Sequence, residues 1–196
     1  MTLDDARTLA LQSVTDPAAA ARAVLALKLP RAVLWQGLVL MAVLQAMIYA
    51  VSDIAFPGPN TTRWIFGAPL QFFAIALLGM VLFVYALHFA GRMFDGHGSL
   101  EDVLAVMVWL NALRALVQVA MLVLSLTVPM LAIVLMLGAT FVGLYITVHF
   151  IKQALRLNSL LNAFFVMLIA SLVIGIALSI LISVVGDPLP GANGHV

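Results

Sequence analysis

The sequence predicts an all-α fold: a polytopic membrane helical bundle of five transmembrane helices, preceded by a short amphipathic helical N-terminal arm. Three observations predict it. Residues 32–51, 67–90, 101–125, 130–150 and 161–185 are almost wholly apolar, and about 18 or more such residues in a helix can cross a hydrocarbon core about 30 Å thick. Hydrophobic residues make up 65% of the 196 and charged residues 9%, with a mean hydropathy of +1.19, far from the balance of a soluble domain. Finally, the few basic residues are unevenly distributed. Arg7, Arg22, Lys28 and Arg31 precede the first run, Arg92 follows the second, Lys152 and Arg156 follow the fourth, and the intervening segments carry only Arg63. Positive charge accumulates on the cytoplasmic side of short loops, so this alternation predicts an amino terminus inside and, after five spans, a carboxyl terminus outside. The Ala, Leu and Val bias suggests a bacterial cytoplasmic membrane.

Residues 1–31 form the arm, which reads as two short helices. Turn residues cluster only at Ser13 to Pro17, where Thr15 or Asp16 can cap the second helix, and Pro17 falls in its first turn, where a missing amide hydrogen is tolerated. Leu3, Ala6, Ala10 and Val14 form a weak apolar stripe. The expectation is a helix on the inner leaflet whose basic side chains reach lipid phosphates, or a docking arm for a cytosolic partner. The first apolar run lies too far along the chain, and is too long, for a cleaved signal peptide.

After the first span, Pro57, Gly58, Pro59 and Asn60 break helix where water must satisfy the backbone. Trp64 and Phe66 are expected at the outer interface, and Asn60 to Thr62 match a glycosylation sequon, though modification is not expected. The second span leads to Gly96, His97, Gly98, Ser99, Leu100, Glu101 and Asp102. Ser99 and Asp102 have capping-box spacing, so a helix is expected from Leu100, with two carboxylates favourably placed against its dipole. As a phosphate cradle this segment lacks the Walker spacing and its lysine. A structural turn, or a cytoplasmic contact loop built from Gly96, Gly98, Ser99, Glu101 and Asp102, is the reading the residues favour.

In the third span Asn111, Arg114 and Gln118 share one face. Arg114 lies roughly 21 Å along that helix, near the bilayer centre, where a charge costs about 2.5–3.5 kcal/mol on insertion scales. Gln45 in the first span, Thr140 in the fourth and Ser171 in the fifth come at similar depth and are its candidate partners. No Asp or Glu lies at that depth, so this intramembrane polar group of Gln45, Asn111, Arg114 and Gln118 reads either as interhelical glue or as a site for an anion or lipid headgroup.

A single helix over residues 101–150 would extend about 75 Å, so the chain must turn back, and Pro129 marks the return. In the fifth span Ser171, Gly175, Ser179 and Ser183 recur every four residues, a ridge of small side chains that admits close helix packing within the chain or between copies. Ala139 and Gly143 do the same on the fourth. Residues 186–196 read as a short polar tail.

His88, His97 and His149 form no metal-ligand pair pattern, and the chain has no cysteine. Nor does any serine share its depth with a histidine and an acid. No catalytic residue, metal or cofactor is expected, and no nucleic acid partner; the bilayer and a membrane or cytosolic protein are.

The arm, the five closely spaced spans, the turn Gly96 to Asp102 and Pro129 some thirty residues later together resemble the Yip family, Ypt-interacting, Rab-associated multispanning membrane proteins whose domain also occurs in bacteria. The resemblance covers residues 15–185 and is most specific around the turn. It implies a non-enzymatic membrane-organising, trafficking or adaptor role. Arg114 departs from the apolar residue expected there, and the arm is shorter than in eukaryotic members, so Rab binding does not carry over. The runner-up is a small transporter or lipid-handling protein using Arg114.

Overall fold

The computed structural model describes residues 3–56 and 68–186, and these are helical apart from short turns. The helices are α1 (Leu3–Thr15), α2 (Pro17–Ala26), α3 (Arg31–Ala55), α4 (Pro69–Met93), α5 (Leu100–Thr127), α6 (Pro129–Leu155) and α7 (Leu160–Gly186). The last five are each long and apolar enough to cross a membrane. In the most apolar stretch of each, only 17–22% of residues are buried inside the chain, so most of their surface faces lipid. The sequon at Asn60 to Thr62, the expected interfacial Trp64 and Phe66, and most of the tail lie outside the described residues.

Local chemistry sets the helix ends. Asp16 accepts a 3.0 Å hydrogen bond from the Ala19 amide, with Pro17 in the first turn of α2. At α5 both halves of the capping box form: Asp102 N donates to Ser99 Oγ at 3.1 Å and Ser99 N to Asp102 Oδ2 at 3.2 Å. Val128 alone separates α5 from α6, with φ −138° and ψ 80°; Pro129 excludes the helical conformation from its predecessor and so breaks the helix there. At the other end of α6, Arg156 is left-handed, with φ 55°, while the Leu157 amide donates to Lys152 O at 3.0 Å, closing the helix as a Schellman-type cap.

The spans close into a ring, α3 to α4 to α7 to α6 to α5 and back to α3, with α4 also touching α5. Because they alternate in direction, Arg31, Met93, Leu100, Leu155 and Leu160 gather at one end, beside the arm. The core belongs to this arm end. Leu38, Val84, Leu87, Leu104, Ile151, Leu155 and Val166 are buried in one cluster drawn from all five spans. Toward the far end the packing thins: no residue of α7 from Ser171 to Ile180 is buried, and between Met130 and Tyr145 of α6 only Ala132 is.

The arm packs against the bundle. It folds back as a helical hairpin against α5 and α6, where Leu9, Ala20, Ala21 and Val24 pack with Val106, Ile146, Phe150 and Ala154. Ile146 precedes the end of α6 by roughly 13 Å of helix, so the hairpin reaches well down the bundle wall. The face it buries differs from the expected stripe. Leu9 and Ser13 point inward, Ala6 and Ala10 are half-buried and Val14 is exposed. Ser13 can take a buried position because its hydroxyl is satisfied twice, donating to Leu9 O at 2.8 Å and accepting from Trp109 Nε1 at 3.0 Å.

Candidate functional site

Val103, Met107, Asn111, Arg114, Gln118, Met121 and Ser125 follow one another at spacings of three or four, forming one stripe along α5. Its first residues are core. At Asn111 the stripe turns polar, and both polar atoms of that amide are engaged: Gln45 Nε2 donates to Asn111 Oδ1 at 2.9 Å, while Asn111 Nδ2 donates to Met107 O at 2.8 Å. Both residues are buried. Of the four residues expected to form a polar group, these two are brought together.

Gln118 makes no hydrogen bond with that pair. Its Oε1 is buried without a hydrogen-bond partner, and it lines a cavity of about 290 Å³ with Gln45, Tyr49, Ser52, Phe72 and Ser125 between α3, α4 and α5. The rings of Tyr49 and Phe72 stack on each other in the wall of this cavity, with centroids 4.2 Å apart and planes 4° from parallel. Sequence reasoning missed Tyr49 and Ser52. Their signal was present, since they follow Gln45 by four and seven residues and so share its face.

Arg114 is exposed and has no ion pair or hydrogen bond among the described residues. The partners expected for it are engaged elsewhere or turned away: Gln45 bonds Asn111, Thr140 Oγ1 donates to Met136 O at 2.7 Å within its own helix, and Ser171 is exposed. The Gln45–Asn111 bond carries a direct test. In a Gln45→Leu, Asn111→Leu double-mutant cycle in detergent, the coupling energy is expected to be about 1 kcal/mol. A coupling near zero would mean that the two amides do not act as a pair.

At the arm end, two turns interlock. The Gly98 position lies against the backbone of Ala154 and Leu155, and the His97 amide donates to Leu155 O at 3.0 Å. Asp95, with φ 57°, and Gly96, whose amide donates to Gly91 O at 2.9 Å, bring the chain into this position. Ion pairs frame it, Arg156 to Asp102 at 3.7 Å and Arg31 to Glu101 at 4.0 Å; being exposed, each contributes little by itself. A cavity of about 310 Å³ opens between Lys28 and Leu29 of the arm connection and Ser99, Glu101 and Asp102. The capping box occupies the amide that an anion at this helix start would use.

The small-residue ridge of α7 meets no other helix of the described residues. Ser171, Gly175, Ser179 and Ser183 are all exposed, and a methyl group added at Gly175 would touch nothing within 4 Å. Ser179 and Ser183 donate to Gly175 O and Ile180 O of their own helix at 2.7 and 2.8 Å. Among the described residues no three His, Asp or Glu side chains stand close enough to share a metal ion.

The sequence model of the Yip1 domain matches residues 11–182, from the middle of α1 to near the end of α7. The chain belongs to the Yip1 domain family. No curated protein and no solved structure matches it significantly. Because the match includes α2, the helix that packs on α5 and α6 is part of the Yip1 domain rather than an addition to it. This Yip1 domain protein is thus an integral membrane protein, a bundle of five long apolar helices in contact with the bilayer.

Proposed function

We propose that this Yip1 domain protein is a non-enzymatic adaptor that organises its membrane by presenting the arm end of the bundle to a cytosolic or membrane protein. The observation that carries the reading is the arm-end joint. There the helical hairpin of the arm, the turn around Gly98 and the turn at Arg156 pack into one unit. Such a unit offers a fixed surface, on which Arg7, Arg22 and Asp16 are exposed, whereas the far half of the bundle is loosely packed. Family membership supports a protein partner without naming one.

Gentle detergent extraction tests this. A partner retained by the wild type is expected to be lost from an Arg7→Glu, Arg22→Glu variant and kept by Arg114→Leu. If charge reversal on the arm changes nothing that co-purifies while Arg114→Leu does, the adaptor reading fails. The second reading, a small transporter or lipid-handling protein, draws on Arg114, a guanidinium exposed within a span.

In this proposal the arm end is cytoplasmic in a bacterial cytoplasmic membrane, an orientation that the excess of basic residues there supports. The chain has no cysteine, so single cysteines report its orientation cleanly. Arg7→Cys is expected to react with a membrane-impermeant maleimide only after permeabilisation, and Ser183→Cys in intact cells. The opposite pattern would invert the topology.

A further inference from the structure

The cavity between α3, α4 and α5 belongs to the far half of the bundle. Gln118, in its wall, lies roughly 27 Å along α5 from Leu100, and Phe72 roughly 5 Å from the far end of α4. The cavity thus sits within the span, next to the far surface of the bilayer. No described residue that lines it is charged. An ion would find no counter-charge there and would have to shed its water beside hydrocarbon, so the occupant that fits is neutral. Part of the wall is nevertheless polar. Gln118 Oε1 is buried and receives no hydrogen bond among the described residues. Ser52 donates its hydroxyl hydrogen to Ile48 O at 2.8 Å, which leaves its oxygen as an acceptor. Ile48, Phe56, Met121 and Leu122 supply an apolar surface beside these groups.

Water alone would satisfy Gln118 but would lie without partners against the apolar side chains, and a hydrocarbon would do the reverse. A molecule with one donor and an apolar body matches both parts of the wall. We infer that the cavity binds a small neutral amphiphile from the bilayer, an alcohol or phenol of roughly twelve non-hydrogen atoms. Its hydroxyl donates to Gln118 Oε1, and its apolar body lies against Ile48, Met121 and Leu122. The size follows from the volume: a cavity of about 150 Å³ accepts benzene, and this one measures about 290 Å³, at the lower end of the range for small-molecule sites. A molecule of that size is accommodated between the three helices without a tail running out into lipid. The inference is independent of the adaptor role, which is tested through the arm, and of Arg114, which does not line the cavity.

The test compares para-butylphenol with para-butylanisole, in which a methyl group replaces the donated hydrogen. Each labelled probe is equilibrated by dialysis between micelles carrying the purified protein and empty micelles, so that solution in detergent cancels. The wild type is expected to retain the phenol about tenfold over the anisole, and Gln118→Leu to lose that preference. Ser125→Phe places a ring in the cavity and is expected to release both probes; should Gln118→Leu fail to fold, this variant carries the test, and full retention of the phenol by it overturns the location. Equal retention of the two probes by the wild type, or an undiminished preference in a folded Gln118→Leu, overturns the hydrogen bond to Gln118. Retention of neither probe above empty micelles overturns the site and leaves water as its occupant. Displacement of the phenol by excess glycerol in the aqueous phase overturns the bilayer as the source in favour of a water-soluble polyol.

Discussion

Gly98→Ala is expected to cost about 3 kcal/mol or more of stability, the upper range for overpacking a close contact, and to lower the yield of monodisperse protein in mild detergent. A Cβ at this position would overlap the carbonyl oxygen of Ala154 and stand 2.7 Å from Leu155 Cα. Both are backbone atoms, so no side chain can swing aside. Relief requires the turn to move off the end of α6, breaking the hydrogen bond from the His97 amide to Leu155 O. Backbone conformation is not the reason for glycine here, because no described glycine has a positive φ; close approach is. Gly138→Ala and Gly175→Ala provide the control. Nothing lies within 4 Å of a Cβ at either position, so both variants are expected to match the wild type or gain up to about 1 kcal/mol from helix propensity. Thermal unfolding of the three proteins side by side checks the contrast. Equal melting of all three would show that the interlocked turns do not hold the arm end together.

Phe150→Ala is expected to lose about 3 kcal/mol and to free the arm. Phe150 is fully buried at the centre of the cluster that joins Leu9, Ala20, Ala21 and Val24 of the arm to α5 and α6. Phenylalanine truncation in a core costs about 3–5 kcal/mol. The lower figure applies where the alternative surroundings are lipid, since part of the hydrophobic term is then absent and lost packing dominates. The readout specific to the arm is proteolysis: trypsin is expected to cut the variant in detergent at Arg22 and Lys28 faster than the wild type. Lys28 already has a positive φ of 41° at the connection to α3, so the arm is joined to the bundle through a single strained residue. A variant that melts early but is cleaved no faster would mean that the arm is held by other contacts.

The arm also shows where reading the residues reached its limit. Asp16 with Pro17, and Ser99 with Asp102, were recognisable as helix starts because a cap depends on residues at most three apart, and both form. The stripe of Leu3, Ala6, Ala10 and Val14 was a plausible inner face, yet the chain turns Leu9 and Ser13 inward. That choice depends on Trp109, ninety-six residues away, and no local pattern reports such a partner. The candidate site divides in the same way. Asn111, Arg114 and Gln118 share a stripe because helical geometry requires it, and Gln45 was placed near them by depth alone. Depth did not distinguish which of the three Gln45 would bond.

The sequence by itself determined the class, five membrane-spanning helices with their turns and caps, because length, apolar content and capping residues act over short range and leave no alternative in lipid. Tertiary structure alone decided that the arm packs on α5 and α6, that Gln45 takes Asn111, that Arg114 stays exposed while the residues before it on its stripe are buried, and that the ridge of α7 is left uncovered. The physical reason is the solvent. In water a helix marks its inner face by contrast with a polar outer one, but in hydrocarbon both faces are apolar. Which face packs is then settled by shape and by a few hydrogen bonds between residues far apart in the chain.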